Sequence, residues 1–207
     1  MNTATCVSSR DRILFAAKTL FARNGYENTS TVAIARQAGT SESQLMKHFG
    51  SKQGLLSAIF DLGWSNILQR VRGLASDTHR SPRVLVDLME GLIVELDRDP
   101  EIKTLLMLEA RRVRKDSPDL SLSQGFVQFS SFLEEILTDL KNHGVLTPEV
   151  NVKAARAALF GMVEGMVFDQ LASTRSGGFG LYAADDSRRI LEAMVCGLSA
   201  HQVPSGR

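Results

Sequence analysis

Cysteine is nearly absent from this 207-residue chain, with Cys6 and Cys196 standing near its opposite ends. Two thiols so placed build no disulfide framework, which excludes the cross-linked secreted scaffolds and makes a reducing cytoplasm the expected compartment. The first nine residues lack an apolar core segment, so no secretory leader is expected there. No stretch approaches the ~18 uninterrupted apolar residues of a membrane span, so no membrane partner is expected. Catalytic signatures are missing as well. His48, His79, His143 and His201 have no His, Cys, Asp or Glu at i+3 or i+4 in a metal-ligand pattern. No G-x-S-x-G, phosphate loop or dinucleotide fingerprint occurs. The adjacent pairs Glu134-Glu135 and Asp185-Asp186 point ~100° apart on a helix and share no site. No enzyme, no metal and no cofactor are expected.

What is present is ordinary in bulk and uneven along the chain. Hydrophobic residues make up 43% and charged residues 23%, the proportions of a soluble globular protein with ample core. The net charge is +1, yet residues 1–52 carry seven Lys or Arg against three Asp or Glu, while the remainder holds 17 against 20. A basic first quarter on a slightly acidic protein suits attraction to phosphates at one end only.

That quarter contains the stretch around which the rest is organised, Thr31–Gly50 (TVAIARQAGTSESQLMKHFG). It reads as a helix-turn-helix. A small residue at Ala35 lets two helices cross closely, Gly39 supplies the positive φ of a short turn, and Leu45 pegs the second helix onto Ile34 and Ala38. Ser41-Glu42-Ser43-Gln44 has capping-box spacing, so the second helix can start directly after the turn. Upstream, Ser8-Ser9-Arg10-Asp11 opens a helix carrying Ile13, Ala17, Leu20 and Phe21, and Asn24-Gly25 ends it, with the Tyr26 ring placed to pack back under the helix end. Downstream, Ser51 caps a long helix running from Leu55 towards Leu74.

The rest is punctuated by proline. Ser81-Pro82, Asp99-Pro100, Ser117-Pro118 and Thr147-Pro148 each set a capping side chain before a proline, the pattern of a helix start. Leu85, Leu88, Met89, Leu92, Ile93 and Leu96 form one helical stripe, and Leu122, Phe126, Phe129, Leu133, Ile136, Leu137 and Leu140 another, ended at His143-Gly144. No alternating strand pattern competes, so the fold class is all-α. Val152–Leu171 is apolar on more than one face and rich in Ala and Gly; after a Gly-rich break at Ser173–Gly180, Asp186–Ala200 carries a further stripe. Such a pair is either core or a homodimer face, for which Leu159, Met162, Val163, Met166, Ile190, Met194 and Leu198 are the candidates. Met89, Ile93, Leu105, Glu109, Phe126 and Phe129 are candidates for a small-molecule pocket, mostly apolar with one polar group, and describe a core equally well. Cys196 is expected to be a buried, inert thiol rather than an oxidant sensor. The run Arg111–Lys115 reads as cations complementing a helix C-terminus.

Ile13–Gly50 resembles the DNA-binding head of the TetR (tetracycline-repressor-like) transcriptional regulators. The likeness lies in LFAAKTLFARNGY, the Val-x-Ile-Ala of the second helix, the AGTS turn, and LMKHFGSK leading into a helix. It implies an N-terminal three-helix head at residues 9–52 and a helical regulatory, ligand-binding and dimerising body at 53–200. It further implies that Ser30, His48 and Lys52 lie at phosphates and that base contacts come from Thr40 to Lys47. One departure is plain: Met46 stands where the family commonly has tyrosine, and a thioether donates no hydrogen bond, so that contact is lost or passes to Lys47.

A helix entering the ~12 Å major groove must be narrow and polar at its front. Ser41, Ser43 and Gln44 meet that need; Gln44 can pair with adenine, and Lys47 can reach guanine or phosphate. The expected protein is a homodimeric regulator reading a palindromic operator in double-stranded DNA, a repressor released by a small, largely apolar effector. The alternative is a helical small-molecule or lipid carrier without specific DNA binding.

Overall fold

In the computed structural model, residues 8–75, 81–112, 122–176 and 184–200 are described. They contain nine α-helices: α1 (Ser9–Asn24), α2 (Thr31–Gln37), α3 (Glu42–Phe49), α4 (Lys52–Ala75), α5 (Arg83–Arg98), α6 (Pro100–Arg112), α7 (Gln124–Asn142), α8 (Val152–Ser176) and α9 (Ala184–Leu198). Among these residues there is no strand, only an isolated antiparallel bridge between Leu146 and Ser199. The fold class is all-α.

Capping chemistry sets the starts. The hydroxyls of Ser8, Ser30, Ser41 and Ser51 accept from the backbone N–H groups of Asp11, Ala33, Gln44 and Gly54 at 2.9–3.2 Å. Asp99 caps α6 through Ile102 N at 3.0 Å, with Pro100 in the first helical position. Each cap contributes about 1 kcal/mol. One expected start differs. Thr147 donates its N–H to Leu198 O at 3.0 Å and its carbonyl accepts from Val150 in a turn, so it is held beside the bridge. Asn151 caps α8 instead, accepting from Ala154 N at 3.0 Å. The expected break at Ser173–Gly180 also begins later, because α8 runs to Ser176. Within this last stretch of α8, Ser173 donates its hydroxyl to Asp169 O at 2.7 Å. At the other end α9 stops at Leu198, where Ala200 N instead bonds Val145 O at 3.0 Å. The Ser117-Pro118 start and residues 113–115 of the basic run lie outside the described residues.

By packing, the chain forms two compact units. The first comprises the described residues within Met1–Trp64 and Asp99–Gly125, so it joins α1–α3 and the first half of α4 to α6. Ile13, Phe21, Ile34, Leu45 and Leu55 are fully buried there. Lys18 ties α1 to α6 through Asp99 at 2.7 Å and Glu101 at 3.6 Å, and Thr19 donates to Glu101 at 3.1 Å. Nothing in the sequence announces this seam, since Lys18 and Asp99 are 81 positions apart.

The second unit holds Ser65–Arg98 and the described residues from Phe126 onward. Here α5 packs on α8 and α9. The α5 stripe is buried at Leu85, Leu88, Met89, Leu92 and Leu96, and α7 buries Phe129, Leu133, Leu137 and Leu140. Burying such side chains stabilises a fold by about 1.5–3 kcal/mol each.

Candidate nucleic-acid interface

The α2–α3 segment is a helix-turn-helix whose geometry follows from three positions. Gly39 has φ 62°, in the left-handed region, and Thr40 N reaches back to Ala35 O at 3.0 Å to close the turn. Ala35 is 3% and Leu45 0% exposed, so the small crossing residue and the peg both sit in the head's core. Arg12 of α1 donates to Ala38 O at 3.2 Å, fixing the end of α2. With Leu45 pointing inward, helical rotation turns Ser43 and Lys47 outward and sets Gln44 and Met46 on the two flanks. Leu45 is the one α3 residue that is fully buried.

The outward side chains divide by what they already hold. Ser41 caps α3 and shares a hydrogen bond with Ser43 at 2.9 Å. Glu42 accepts from Thr31 of α2, across the motif. By contrast, Gln44 and Lys47 are exposed and engage no hydrogen bond or ion pair among the described residues. His48 is exposed beside Phe49, with ring centroids 6.1 Å apart. Ser30 is exposed and caps α2, keeping its hydroxyl hydrogen for another acceptor, while Thr40 is half-buried in the turn. Lys52 is held at the start of α4: its ammonium lies 4.3 Å from the Tyr26 ring centroid and 3.4 Å from Glu27 O. Three helix starts, at Ser30, Ser41 and Ser51, therefore end on one basic head, and such N-termini favour anions.

Two supporting contacts escaped the sequence reading. Tyr26 does pack on Phe21, at 5.3 Å between centroids, but its other service is to carry Lys52. Gly54 is required by close approach: a β-carbon there would lie 2.2 Å from the Phe49 carbonyl oxygen. The Phe49–Gly50 end of α3 thus rests directly on the first turn of α4. A glycine four residues after Gly50 was the only available signal.

The remaining candidates are placed as follows. Of the pocket set, Leu105 and Glu109 belong to the first unit and Met89, Ile93, Phe126 and Phe129 to the second. Glu109 is 7% exposed, and its two oxygens accept from Trp64 Nε1 and Ser123 N, both at 2.9 Å. Met89, Leu105 and Phe129 are buried, Ile93 and Phe126 half-buried, and the Phe126 and Phe129 rings flank Phe160 at 5.2 and 6.3 Å. Of the dimer set, Leu159 and Val163 are buried within their own chain. Met162, Met166, Met194 and Leu198 are half-exposed and Ile190 is 57% exposed. Cys196 is exposed on α9, not buried as expected, because the inward stripe of that helix is Leu191 and Val195. Among the described residues no His, Cys, Asp and Glu gather as metal ligands, and no helix is long and apolar enough to cross a membrane.

Comparison with known proteins agrees with this geometry. The sequence pattern described as "Bacterial regulatory proteins, tetR family" matches residues 13–59. The chain is 27% identical over 163 residues to the HTH-type transcriptional regulator UidR of Escherichia coli, covering 78% of this chain and 81% of that one. Among solved structures it is similar to FadR of Bacillus subtilis in complex with stearoyl-CoA, with TM-score 0.75, 20% identity, and 93% and 98% of the two chains covered. It is also similar to NalD, the secondary repressor of the MexAB-OprM multidrug efflux pump in Pseudomonas aeruginosa, with TM-score 0.68, 26% identity, and 94% and 98% covered. Residues 13–59 are thus a tetR-family DNA-binding head, and over most of its length the chain is similar to transcriptional regulators that carry such a head.

Proposed function

We propose that the protein is a homodimeric repressor that reads a palindromic operator through α3 and leaves it when a small, largely apolar effector binds. Residues 9–52 do the reading and residues 53–200 the dimerising and sensing. The observation that carries this is the uncommitted outer face of α3, where Gln44 and Lys47 stand exposed while Ser41, Glu42 and Ser43 are engaged within the motif. Gln44 pairs with adenine, Lys47 with guanine or phosphate, and Ser30, Thr40, Ser41, Ser43, His48 and Lys52 position the backbone. A dimer presents two such helices about 34–36 Å apart.

The second copy meets the outer faces of α8 and α9 through Met162, Met166, Ile190, Met194 and Leu198, with Leu159 and Val163 as the core behind them. Gly161 and Gly165 are exposed, and a β-carbon at either meets nothing within 4 Å, which leaves room for a partner helix to approach closely. The effector lies in the body, where the Phe126, Phe129 and Phe160 rings offer an apolar wall and Met89 is buried in the same unit; the acyl chain of the stearoyl-CoA bound by FadR has the chemistry such a wall takes. An effector acts only by binding the two head spacings with different affinity.

The test is DNA binding. Duplexes selected by the protein from a random library are expected to be palindromic and bound ~1,000-fold or more tightly than random sequence at moderate salt, with a steep salt dependence. Binding no better than random sequence, with Lys47→Ala changing nothing, overturns the repressor reading and leaves the carrier.

A further inference from the structure

Met46 is the one apolar side chain on a face that is otherwise polar. It is 42% exposed on α3, one residue beyond the fully buried Leu45, and helical rotation sets it ~100° from that peg, on the flank opposite Gln44. It donates no hydrogen bond, so it does nothing for a phosphate. More than two-fifths of its surface faces solvent. Lys47, next to it around the helix, and Gln44, beyond Lys47, are the uncommitted polar groups of the same helix. An apolar tip beside such a polar group, entering a major groove, meets only one apolar feature there, the C5-methyl of thymine.

We infer that Met46 is a specificity-determining residue that reads a thymine methyl group, one in each half-site. This rests on the DNA-binding reading above and deepens it by naming what one flank of α3 recognises. The thioether is unbranched and polarisable, so it adapts to a methyl group whose position shifts with local DNA shape. Gln44 on the opposite flank then reads by hydrogen bonds and Met46 by apolar contact, two kinds of readout from one short helix.

The test replaces each thymine of the selected operator, one at a time, by deoxyuridine, which removes the methyl and keeps the base pair. For the native protein, one thymine per half-site is expected to weaken binding ~4-fold on replacement, the effect of one buried methyl. Met46→Ala is expected to bind the unmodified operator ~4-fold or more weakly and to lose all sensitivity at that thymine. Met46→Leu, which keeps an apolar tip, is expected to retain part of it. Thermal melts of both variants should match the native protein, since the side chain is exposed. The inference fails if no single uracil matters, or if Met46→Ala is as sensitive as the native protein. In either failure the native protein still prefers its operator to random DNA, so the DNA-binding reading stands; loss of that preference in the native protein is the separate result that removes both.

Discussion

The outer face of α3 and the α1–α6 seam belong to the same compact unit, and both carry polar side chains, but they use them in opposite ways. On the seam, Lys18 is only 20% exposed in its side chain and is matched by two carboxylates, while Thr19 donates to one of them. Nearby in the same unit, Glu109 divides its oxygens between Trp64 and Ser123. On α3, the Gln44 and Lys47 side chains hold nothing among the described residues. A side chain spent internally stabilises the fold and says little about partners. One left free costs the fold nothing when it is changed and matters only when something else arrives. The comparison therefore predicts that stability and DNA affinity separate by residue.

The largest effect is expected at Glu109. Glu109→Ala removes the buried carboxylate that accepts from the Trp64 and Ser123 N–H groups, which costs about 2–4 kcal/mol of stability. Trp64 is the only tryptophan, so its emission reports the broken bond directly. Chemical denaturation followed by that fluorescence is the measurement. Glu109→Gln, which turns an N–H2 towards one of the two donors, should lose an intermediate amount. Equal stability for all three proteins would mean that this carboxylate is not spent at all, and the contrast with α3 would collapse.

Gly54 comes next, because it joins the two kinds of region: the free face is only as well aimed as the junction that holds it. Adding a β-carbon 2.2 Å from the Phe49 carbonyl forces the backbone apart, at a cost of about 1–3 kcal/mol, as for other overpacked sites. Gly54→Ala should lower the melting temperature and also weaken operator binding in the fraction that remains folded. A variant with lowered stability but native affinity would show that α3 is aimed by α2 alone.

These two sites also mark where sequence reasoning reached and where it stopped. Local rules carried it far in the head: the Gly39 turn, the Leu45 peg and the serine caps each depend on residues within a few positions, and all are present. The buried stripes of α5 and α7 likewise follow from periodicity, except that Leu122 falls before α7 and is exposed. What stayed hidden is long-range. The grouping of α6 with the head rests on Lys18, Asp99 and Glu101, and the tie between α4 and α6 rests on Trp64 and Glu109, 45 positions apart. No spacing rule links such pairs, because tertiary packing selects them. The exposed Cys196 belongs here too: its helix stripe was visible, but which neighbour covers which flank was not. At α3 the residue types were legible, whereas the division into spent and free side chains required the Thr31–Glu42 and Ser41–Ser43 pairings.

Lys47→Ala is the complementary prediction to Glu109→Ala. Its stability should stay within about 0.5 kcal/mol of the native protein, as for an ordinary surface change. Operator affinity should fall ~10-fold, and the slope of log affinity against log salt should drop by ~1 if the ammonium contacts a phosphate. Anisotropy titrations at three or four salt concentrations decide it. An unchanged slope with relaxed preference at one base pair would assign Lys47 to guanine instead, which sharpens the site without moving it.

The smallest effect is expected on the seam, and its pH dependence has a definite sign. Partial burial of Asp99 raises its carboxyl pKa, but the Lys18 ammonium and the backbone N–H groups of Ile102 and Glu101 outweigh that, so the group sits below its ordinary 3.8. A depressed carboxyl stabilises the fold fully above its unfolded value and loses that contribution as pH falls through the lower folded value. The Asp99 side chain is 37% exposed, so solvent screens the pair, and Lys18→Ala should cost under about 1 kcal/mol at neutral pH. That difference should hold constant from about pH 5 to 8 and shrink below about pH 4, where protonation of Asp99 removes its part of the pairing in the native protein as well. Unfolding free energies of both proteins across this range test it. A gap that widened in acid would mean that Lys18 is held by something other than these carboxylates, and that the seam is a packing contact whose charges are incidental.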